Sequence, residues 1–293
     1  MKPTPHISEK KSLKDRLSAI VLCGPMTAWS LLFIVVPIVI LAVMSFMTKG
    51  ALGVIVPKFT LANYKALGDK VYLNVIVQSL IIAGWTTGLT ILLGYPFATA
   101  MARMRARTSG VMMVLLMIPM WVSGLVIIYS FVILLNHSGI INTFLMHIGL
   151  IKSPKSMLYT NFSVICGMLY MFLPFAVLPM YSSIEKLDYN LVEASQDLGA
   201  SPVRTFFKVT LPLTSPGIFA AVILTFIPCV GYYMVTDMLG GGTSMLIGNL
   251  IDRQFTIARN WPFGAALSMV LAIVIFAMVG IYTKLGGNLD DLG

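Results

Sequence analysis

The apolar residues of this 293-residue chain are gathered into six long stretches separated by more polar segments. The first stretch has no charged residue and no histidine between Leu17 and Thr48. A helix needs about 20 apolar residues to cross roughly 30 Å of hydrocarbon. Stretches of that length predict transmembrane helices at about 20–47, 73–101, 111–135, 162–183, 212–236 and 262–283. The pattern therefore predicts an all-α integral membrane protein with six transmembrane helices.

Composition supports the same class. Hydrophobic residues make up 58% of the chain and charged residues 11%, against about 25% charged in an average soluble domain. The basic residues behind the net charge of +9 lie at the ends of apolar stretches, which argues against a nucleic-acid partner. Cys23, Cys166 and Cys229 lie inside predicted spans, without the spacing of a disulfide framework or a zinc site.

The basic residues also predict the orientation. Five Lys or Arg residues lie in the N-terminal tail, 1–19, and Arg103, Arg105 and Arg107 lie in one short loop. Placing both in the cytoplasm gives 12 basic residues inside and 8 outside, so the positive-inside rule predicts two cytoplasmic termini. The first apolar stretch is longer than the 7–15 residues typical of the apolar core of a signal peptide. We therefore expect a basic tail, 1–19, followed by one membrane domain, 20–293.

Nothing in the chain points to an energy source of its own. No ionisable residue lies at the predicted centre of a span, whereas ion-coupled transporters usually carry such residues there. The sequence has no P-loop, nucleophile elbow or zinc-protease motif, so we expect no catalytic residue, metal or cofactor in this chain. A passive membrane subunit that is driven by a partner fits these features best.

A polar segment at about 184–211 predicts a helical hairpin on the cytoplasmic side. Asn190 is a candidate helix cap, with Glu193 three residues later as in a capping box. Gly199 permits the left-handed conformation that ends a helix. Ser201 and Pro202 have the residue types of a cap and first position of the next helix.

This hairpin resembles the signature of importer permease subunits, which is E-A-A, three residues, G, nine residues and I-x-L-P. Glu193, Ala194, Gly199, Leu211 and Pro212 match it, whereas Ser195 replaces the second Ala and Val209 replaces Ile. The resemblance implies a type I ABC importer-like permease in a bacterial inner membrane. It further implies that the hairpin, including Asp197, docks into a separate ATPase subunit that binds ATP and Mg.

Further segments resemble the spermidine/putrescine permeases; they are Phe59–Tyr64, Tyr181–Asp188, Asp237–Gly241, Ile247–Asn249 and Trp261–Ala265. This resemblance implies polyamine import by a complex of two different permease subunits, two ATPase subunits and a soluble polyamine-binding protein outside. An importer for an amino acid or an anion is the alternative. A self-sufficient secondary transporter is a more distant one, because the spans lack charge.

Four residues are candidates for the solute path: Trp121, Tyr232, Tyr233 and Asp237. Aromatic faces attract ammonium groups, and a carboxylate adds charge attraction. Tyrosines at the end of a span are also common interfacial anchors, and a carboxylate there can simply be solvated. The sequence leaves both interpretations open.

Overall fold

The long apolar stretches fold into helices. The computed structural model describes residues 21, 24–242 and 244–284, so the predicted tail, 1–19, and the start of the first span at 20 lie outside the described residues. The helices of the described part are α1 (Gly24–Ser45), α2 (Ala62–Ala66), α3 (Lys70–Arg103), α4 (Ala106–Trp121), α5 (Gly124–Leu135), α6 (Ile140–His147), α7 (Asn161–Glu185), α8 (Tyr189–Asp197), α9 (Pro202–Gly231), α10 (Tyr233–Leu239), α11 (Ile247–Thr256) and α12 (Trp261–Lys284). Strands β1 (Thr48–Lys49) and β2 (Ile55–Val56) form a small antiparallel hairpin.

Six segments of the described chain are long and apolar enough to cross a membrane, as the hydrophobic pattern predicts. They are Gly24–Ser45, Lys70–Arg103, Gly124–His147, Asn161–Glu185, Pro202–Gly231 and Trp261–Gly280. Four of them coincide with predicted spans, and their ends differ by four residues or fewer. The third and fifth differ in ways that change the description of the protein.

The third predicted span, 111–135, is not one continuous helix. Val122 and Ser123 adopt extended backbone conformations, with ψ of 138° and 133°, and separate α4 from α5. Pro119 weakens the end of α4 because it removes one backbone donor. The prediction of one helix was therefore wrong, since hydropathy alone does not detect a break between two apolar segments.

The fifth span begins earlier and ends earlier than its predicted range, 212–236. Helix α9 starts at Pro202, so the second arm of the helical hairpin continues directly into the span. A π-helical turn over Phe206–Thr210 precedes Pro212, where the missing proline N–H would interrupt a regular helix. At the other end, Tyr232 has φ −79° and ψ 82°, which separates α9 from α10.

Helices α3, α7 and α9 pack along one another and form the centre of the bundle. The close approach of α3 and α9 to α7 depends on two glycines. A Cβ on Gly217 would lie 2.6 Å from the Pro179 carbonyl oxygen, and one on Gly94 would lie 2.9 Å from the methyl group of Met180. Helix α1 packs on α12 at the edge and keeps most of its apolar side chains exposed, as expected for a helix that faces lipid. We call the end of the bundle that carries α8 the hairpin end, and the opposite end the far end.

Candidate functional site

The helical hairpin, residues 188–212, begins with a cap that differs from the prediction. Helix α8 starts at Tyr189, and the carboxylate of Asp188 accepts a hydrogen bond from the Asn190 N–H at 3.0 Å. Asn190 therefore lies in the first turn, and the predicted capping box of Asn190 and Glu193 is wrong. The predicted cap lies two positions after the observed one. Asp188 and Asn190 are both residue types that favour a helix cap, so residue type alone did not distinguish them. As a result, Glu193 is free of any capping role and its side chain is exposed.

Gly199 ends α8 as predicted. Its φ is +85°, a conformation that glycine adopts without the Cβ clash of other residues. The Ala200 N–H donates to the Ser195 carbonyl at 3.1 Å, and the Gly199 N–H donates to the Gln196 carbonyl at 2.8 Å. These two bonds form a Schellman motif, which sets the sharp direction change between α8 and α9.

The second arm starts at the predicted residues. The Ser201 hydroxyl accepts a hydrogen bond from the Arg204 N–H at 3.4 Å, and Pro202 occupies the first turn of α9. The Ser195 hydroxyl lies 3.1 Å from that of Thr205, which is buried. Ser195, which departs from the family signature, therefore joins the two arms.

The base of the hairpin is fixed to the membrane bundle. Leu211 packs on an apolar cluster that includes Tyr95, Met180 and Ala221, from α3, α7 and α9. The Tyr95 hydroxyl is 2.9 Å from that of Thr214, one turn after Leu211. Both contacts are made inside the bundle, so the base of the hairpin is anchored to α3 and α7.

The exposed side of the hairpin is apolar and concave. Leu198 is 90% exposed, and Val203 and Phe207 at the start of α9 are exposed as well. An open groove of about 660 Å³ is lined by Leu191, Ala194, Ser195, Leu198, Gly199, Ala200, Arg204, Lys208, Val209, Pro212 and Leu213. Glu193 and Asp197 are exposed and have no ion-pair partner among the described residues. Exposed apolar patches of this kind occur at sites that contact another protein, a membrane or a ligand.

The second candidate region, the far-end junction, lies where the third and fifth spans are broken. The ring of Tyr232 packs edge-on against Phe172, with centroids 5.7 Å apart. A Cβ on Gly124, the first residue of α5, would lie 2.8 Å from the Tyr232 hydroxyl oxygen. The break before α5 and the break at Tyr232 are thus in direct contact, which hydropathy did not predict.

Asn249 of α11 organises this junction and was missed by the sequence-based prediction of site residues. Its side chain is 3% exposed. Its amide nitrogen donates to the Tyr233 carbonyl at 3.0 Å and to the Asp237 carboxylate at 2.8 Å. Its amide oxygen accepts from the Thr236 hydroxyl and from the Leu246 N–H. Asn249 lies in the segment 247–249, whose family resemblance was its only signal in the sequence.

Three of the four predicted path residues, Tyr232, Tyr233 and Asp237, lie together at the start of α10. Asp237 lies in α10 and is half-exposed, 3.8 Å from the Arg253 guanidinium. It is therefore bound by two residues of α11 and is not a free loop carboxylate. Tyr233 is partly exposed on the same helix. Trp121 lies at the end of α4, on the other side of the α4–α5 break, and is 73% exposed.

Both regions belong to a fold that solved transporters share. The crystal structure of a bacterial alginate ABC transporter, in complex with an alginate pentasaccharide-bound periplasmic protein, matches with a TM-score of 0.74 at 17% identity. The match covers 93% of this chain and 96% of that chain. The fold is that of the membrane permease of an ABC importer. More particularly, the model of the binding-protein-dependent transport system inner membrane component matches residues 91–285, and the chain belongs to that family.

Two relatives match at higher identity. The spermidine/putrescine transport system permease protein PotB of Escherichia coli is 41% identical over 256 residues, which cover 87% of this chain and 93% of the relative. Its counterpart in Haemophilus influenzae is 38% identical over 257 residues, with 88% and 90% covered. The chain is therefore a multi-pass inner-membrane transport subunit and not an enzyme.

Proposed function

We propose that this chain is a permease subunit of an ATP-driven importer for polyamines, the class that includes spermidine and putrescine. The observation that carries the proposal is 41% identity to a spermidine/putrescine permease over 87% of the chain. Identity of this extent includes the helical hairpin and both sides of the far-end junction. An importer permease of other specificity would keep the fold and the hairpin but change the cargo.

The proposed complex contains a second, different permease subunit, two ATPase subunits that bind ATP and Mg, and a soluble binding protein outside. The exposed face around Leu198, Val203 and Phe207 provides the apolar contact with an ATPase subunit. Glu193 and Asp197 provide carboxylates for basic residues of that partner, because they are exposed and unpaired within the described chain. In this orientation the hairpin and both termini are cytoplasmic, in agreement with the positive-inside rule.

Coupling then works through two states of the bundle. Closure of the ATPase subunits on ATP moves the docked hairpin as a rigid unit, because Gly199 and the Ser195–Thr205 hydrogen bond fix the angle between its arms. Leu211 and Tyr95 carry the displacement to α3 and α7. ATP binding thus favours one of two orientations of the spans, and this chain performs no chemistry itself.

The proposed cargo path passes the far-end junction. Tyr232, Tyr233 and Trp121 present aromatic faces to alkylammonium groups, and Asp237 supplies a negative charge. Because Asp237 is 45% exposed and its contact with Arg253 is long, at 3.8 Å, its carboxylate is accessible to a passing cation. The junction is also where α4–α5 and α9–α10 are interrupted, and irregular backbone at membrane depth is either buried in protein or lines a cavity.

Uptake of radiolabelled spermidine into proteoliposomes that contain the whole complex, with ATP supplied to the ATPase side, tests the proposal. We expect uptake by the unmodified complex and none with Glu193→Arg, because charge reversal on the docking face separates the ATPase subunits. Asp69→Arg reverses an exposed carboxylate at the far end and serves as the matched control. Size-exclusion chromatography checks that each permease is folded.

The outcomes separate cargo from coupling. Normal uptake with Glu193→Arg would remove the hairpin from the coupling mechanism. No spermidine uptake by the unmodified complex, together with ATP hydrolysis that another solute stimulates, would keep the importer and reject the polyamine.

A further inference from the structure

At the far end, the loop that follows α1 folds back onto the end of that helix. The Asn63 side-chain amide donates hydrogen bonds to the Ser45 carbonyl at 2.8 Å and to the Met47 carbonyl at 2.9 Å. The Tyr64 hydroxyl lies 2.7 Å from that of Ser45, the last residue of the first apolar segment. These contacts hold the loop at the depth at which the span ends, which is the boundary between hydrocarbon and headgroups.

A second loop joins the first one at the same depth. The Lys49 ammonium group of the β1–β2 hairpin donates a hydrogen bond at 2.8 Å to the carbonyl of Ala258, which lies just before α12 begins. A Cβ on Gly53 would lie 2.9 Å from the Cβ of Arg259, so these residues are also in contact. We call the surface formed by residues 46–66 and 257–261 the loop cluster.

Aromatic rings in and beside the loop cluster indicate the same depth. Trp261, the first residue of α12, is 45% exposed. The Tyr72 ring, in the first turn of α3, packs on Phe263 with centroids 4.9 Å apart. The exposed Phe59 ring stacks on Phe46 at 5.3 Å. Trp and Tyr concentrate at the headgroup level of membrane proteins, so the rings and the hydrogen bonds give one consistent position.

The charge of the loop cluster is of one sign. Segments 46–68 and 253–261 contain no Asp or Glu, whereas Lys49, Lys58 and Arg259 are exposed. None of these three has a carboxylate partner among the described residues. The positive-inside rule accounts for basic residues at the hairpin end. Cations gathered at the opposite end therefore call for a different anionic partner.

Apolar side chains are exposed beside these cations. Leu52, at the tip of the β1–β2 hairpin, has φ +57° and is 96% exposed, and Ile257 is 75% exposed. The left-handed conformation is unfavourable for a bulky residue and persists where surrounding contacts enforce it. Val43, in the last turn of α1, is 52% exposed, so an acyl chain that lies against this helix reaches the cluster. Basic and apolar side chains on one surface are typical of segments that lie among headgroups.

We propose that the loop cluster binds an anionic phospholipid of the leaflet at the far end. Lys49, Lys58 and Arg259 surround the phosphate, Leu52 and Ile257 insert among the headgroups, and the acyl chains lie along α1. The chain is an inner-membrane subunit, so phospholipid is present at this depth. A diacyl lipid complements both the cations and the apolar groups, whereas a soluble anion complements only the cations. The inference does not depend on the identity of the cargo.

The test uses the whole complex in phosphatidylcholine nanodiscs that contain increasing amounts of phosphatidylglycerol with a photoreactive headgroup. Peptide mapping measures the crosslink yield at the loop cluster. For Lys58→Glu/Arg259→Glu we expect the half-saturating lipid fraction to rise at least about tenfold, and for Leu52→Asp about fivefold. Lys58→Glu alone, which leaves the strained Arg259 in place, should raise it about threefold. Lys152→Glu/Lys155→Glu reverses two exposed charges in another far-end loop and is the matched control, with no change expected.

Two further probes identify the ligand. Phosphatidylethanolamine with the same photoreactive group should crosslink at the cluster with a higher half-saturating fraction, because the three cations repel its ammonium group. Glycerol phosphate, which is the headgroup without acyl chains, should not displace the lipid. Thermal unfolding of each variant checks that the permease is folded.

Several results would overturn the proposal while the importer function stands. An unchanged half-saturating fraction in the double variant and in Leu52→Asp would remove the lipid site. Equal crosslinking by the zwitterionic lipid would reduce the cluster to nonselective lipid contact, and displacement by glycerol phosphate would make it a site for soluble anions. If the variants kept their lipid but needed more soluble binding protein to stimulate ATP hydrolysis, the cluster would be a protein contact instead.

Discussion

The hydrogen bonds that shape the helical hairpin join residues at most 10 positions apart, as between Ser195 and Thr205. In the far-end junction, Asn249 reaches Tyr233 across 16 positions, and the Ile247 N–H donates to the Ser79 hydroxyl across 168. Both regions connect the ends of spans. The hairpin is specified locally, so its shape survives changes elsewhere, whereas the junction exists only when α3, α9, α10 and α11 are already packed.

The comparison predicts that disrupting the junction destabilises the whole protein, and Gly248→Ala should have the largest effect. The added Cβ would lie 2.2 Å from the Gly231 carbonyl oxygen. Since backbone cannot yield as a side chain can, we expect the free energy of unfolding to fall by about 3 kcal/mol or more. Thermal unfolding of the purified permease in detergent measures it.

Gly84→Ala is the control, because a Cβ there meets nothing within 4 Å and alanine favours a helix. We expect an equal or higher Tm for that variant. An unchanged Tm for Gly248→Ala would show that α11 does not pack on the end of α9.

Asn249→Ala should have the second largest effect on stability, because it leaves the buried partners of the Asn249 amide without hydrogen bonds. We expect a loss of about 2–4 kcal/mol in the free energy of unfolding, measured in the same way. Thr256→Ala, at the exposed end of α11, should change it by less than about 0.5 kcal/mol. Equal effects of the two variants would mean that Asn249 does not organise the junction.

In the hairpin, Gly199→Ala should have a smaller and local effect. At φ +85°, alanine costs about 1–2 kcal/mol in the turn, so the ATPase subunit should co-purify less well while the Tm of the bundle changes little. Gly149→Ala introduces the same kind of strain at φ +75° in a far-end loop. If both variants retained the ATPase subunit equally, the angle set by Gly199 would be irrelevant to docking.

Asp237→Asn should have the smallest effect on stability, below about 1 kcal/mol, because its ion pair is long and half-exposed. Its effect on spermidine uptake separates a structural carboxylate from a path residue. Loss of one charge near a passing cation corresponds to about 1 kcal/mol, or roughly a fivefold lower rate. Asp252→Asn is the control, and equal uptake by the two variants would remove Asp237 from the path.

The sequence predicted features that depend on neighbouring residues. Four spans follow closely from runs of apolar residues, and Gly199, Ser201 and Pro202 follow from the conformations that those residue types favour. The one hairpin error, the choice of Asn190 over Asp188, was a choice between equivalent caps. Hydropathy could not detect the breaks at Val122–Ser123 and Tyr232, because both lie between apolar segments.

The junction could not be predicted because its contacts follow from packing. Nothing local distinguishes Asn249 from an exposed polar residue, or shows that Gly124 lies beside Tyr232. The hydrogen bond from Lys49 to the Ala258 carbonyl has the same origin, since residues 49 and 258 meet only when α1 and α12 are side by side. Residue type was sufficient to predict helix ends, whereas tertiary contacts required the fold.

Helix α9 runs from Pro202 to Gly231 as one 30-residue segment, so its two ends are joined mechanically. At 1.5 Å per residue it is about 45 Å long, and a tilt of about 5° at one end would displace the other by about 4 Å. A lever of that length converts a small rocking of the hairpin arm into a shift comparable to the width of an alkylammonium group. In the proposed mechanism, the stiffness of this segment, including its π-helical turn at Phe206–Thr210, would then set how far the passage opens for each ATP cycle.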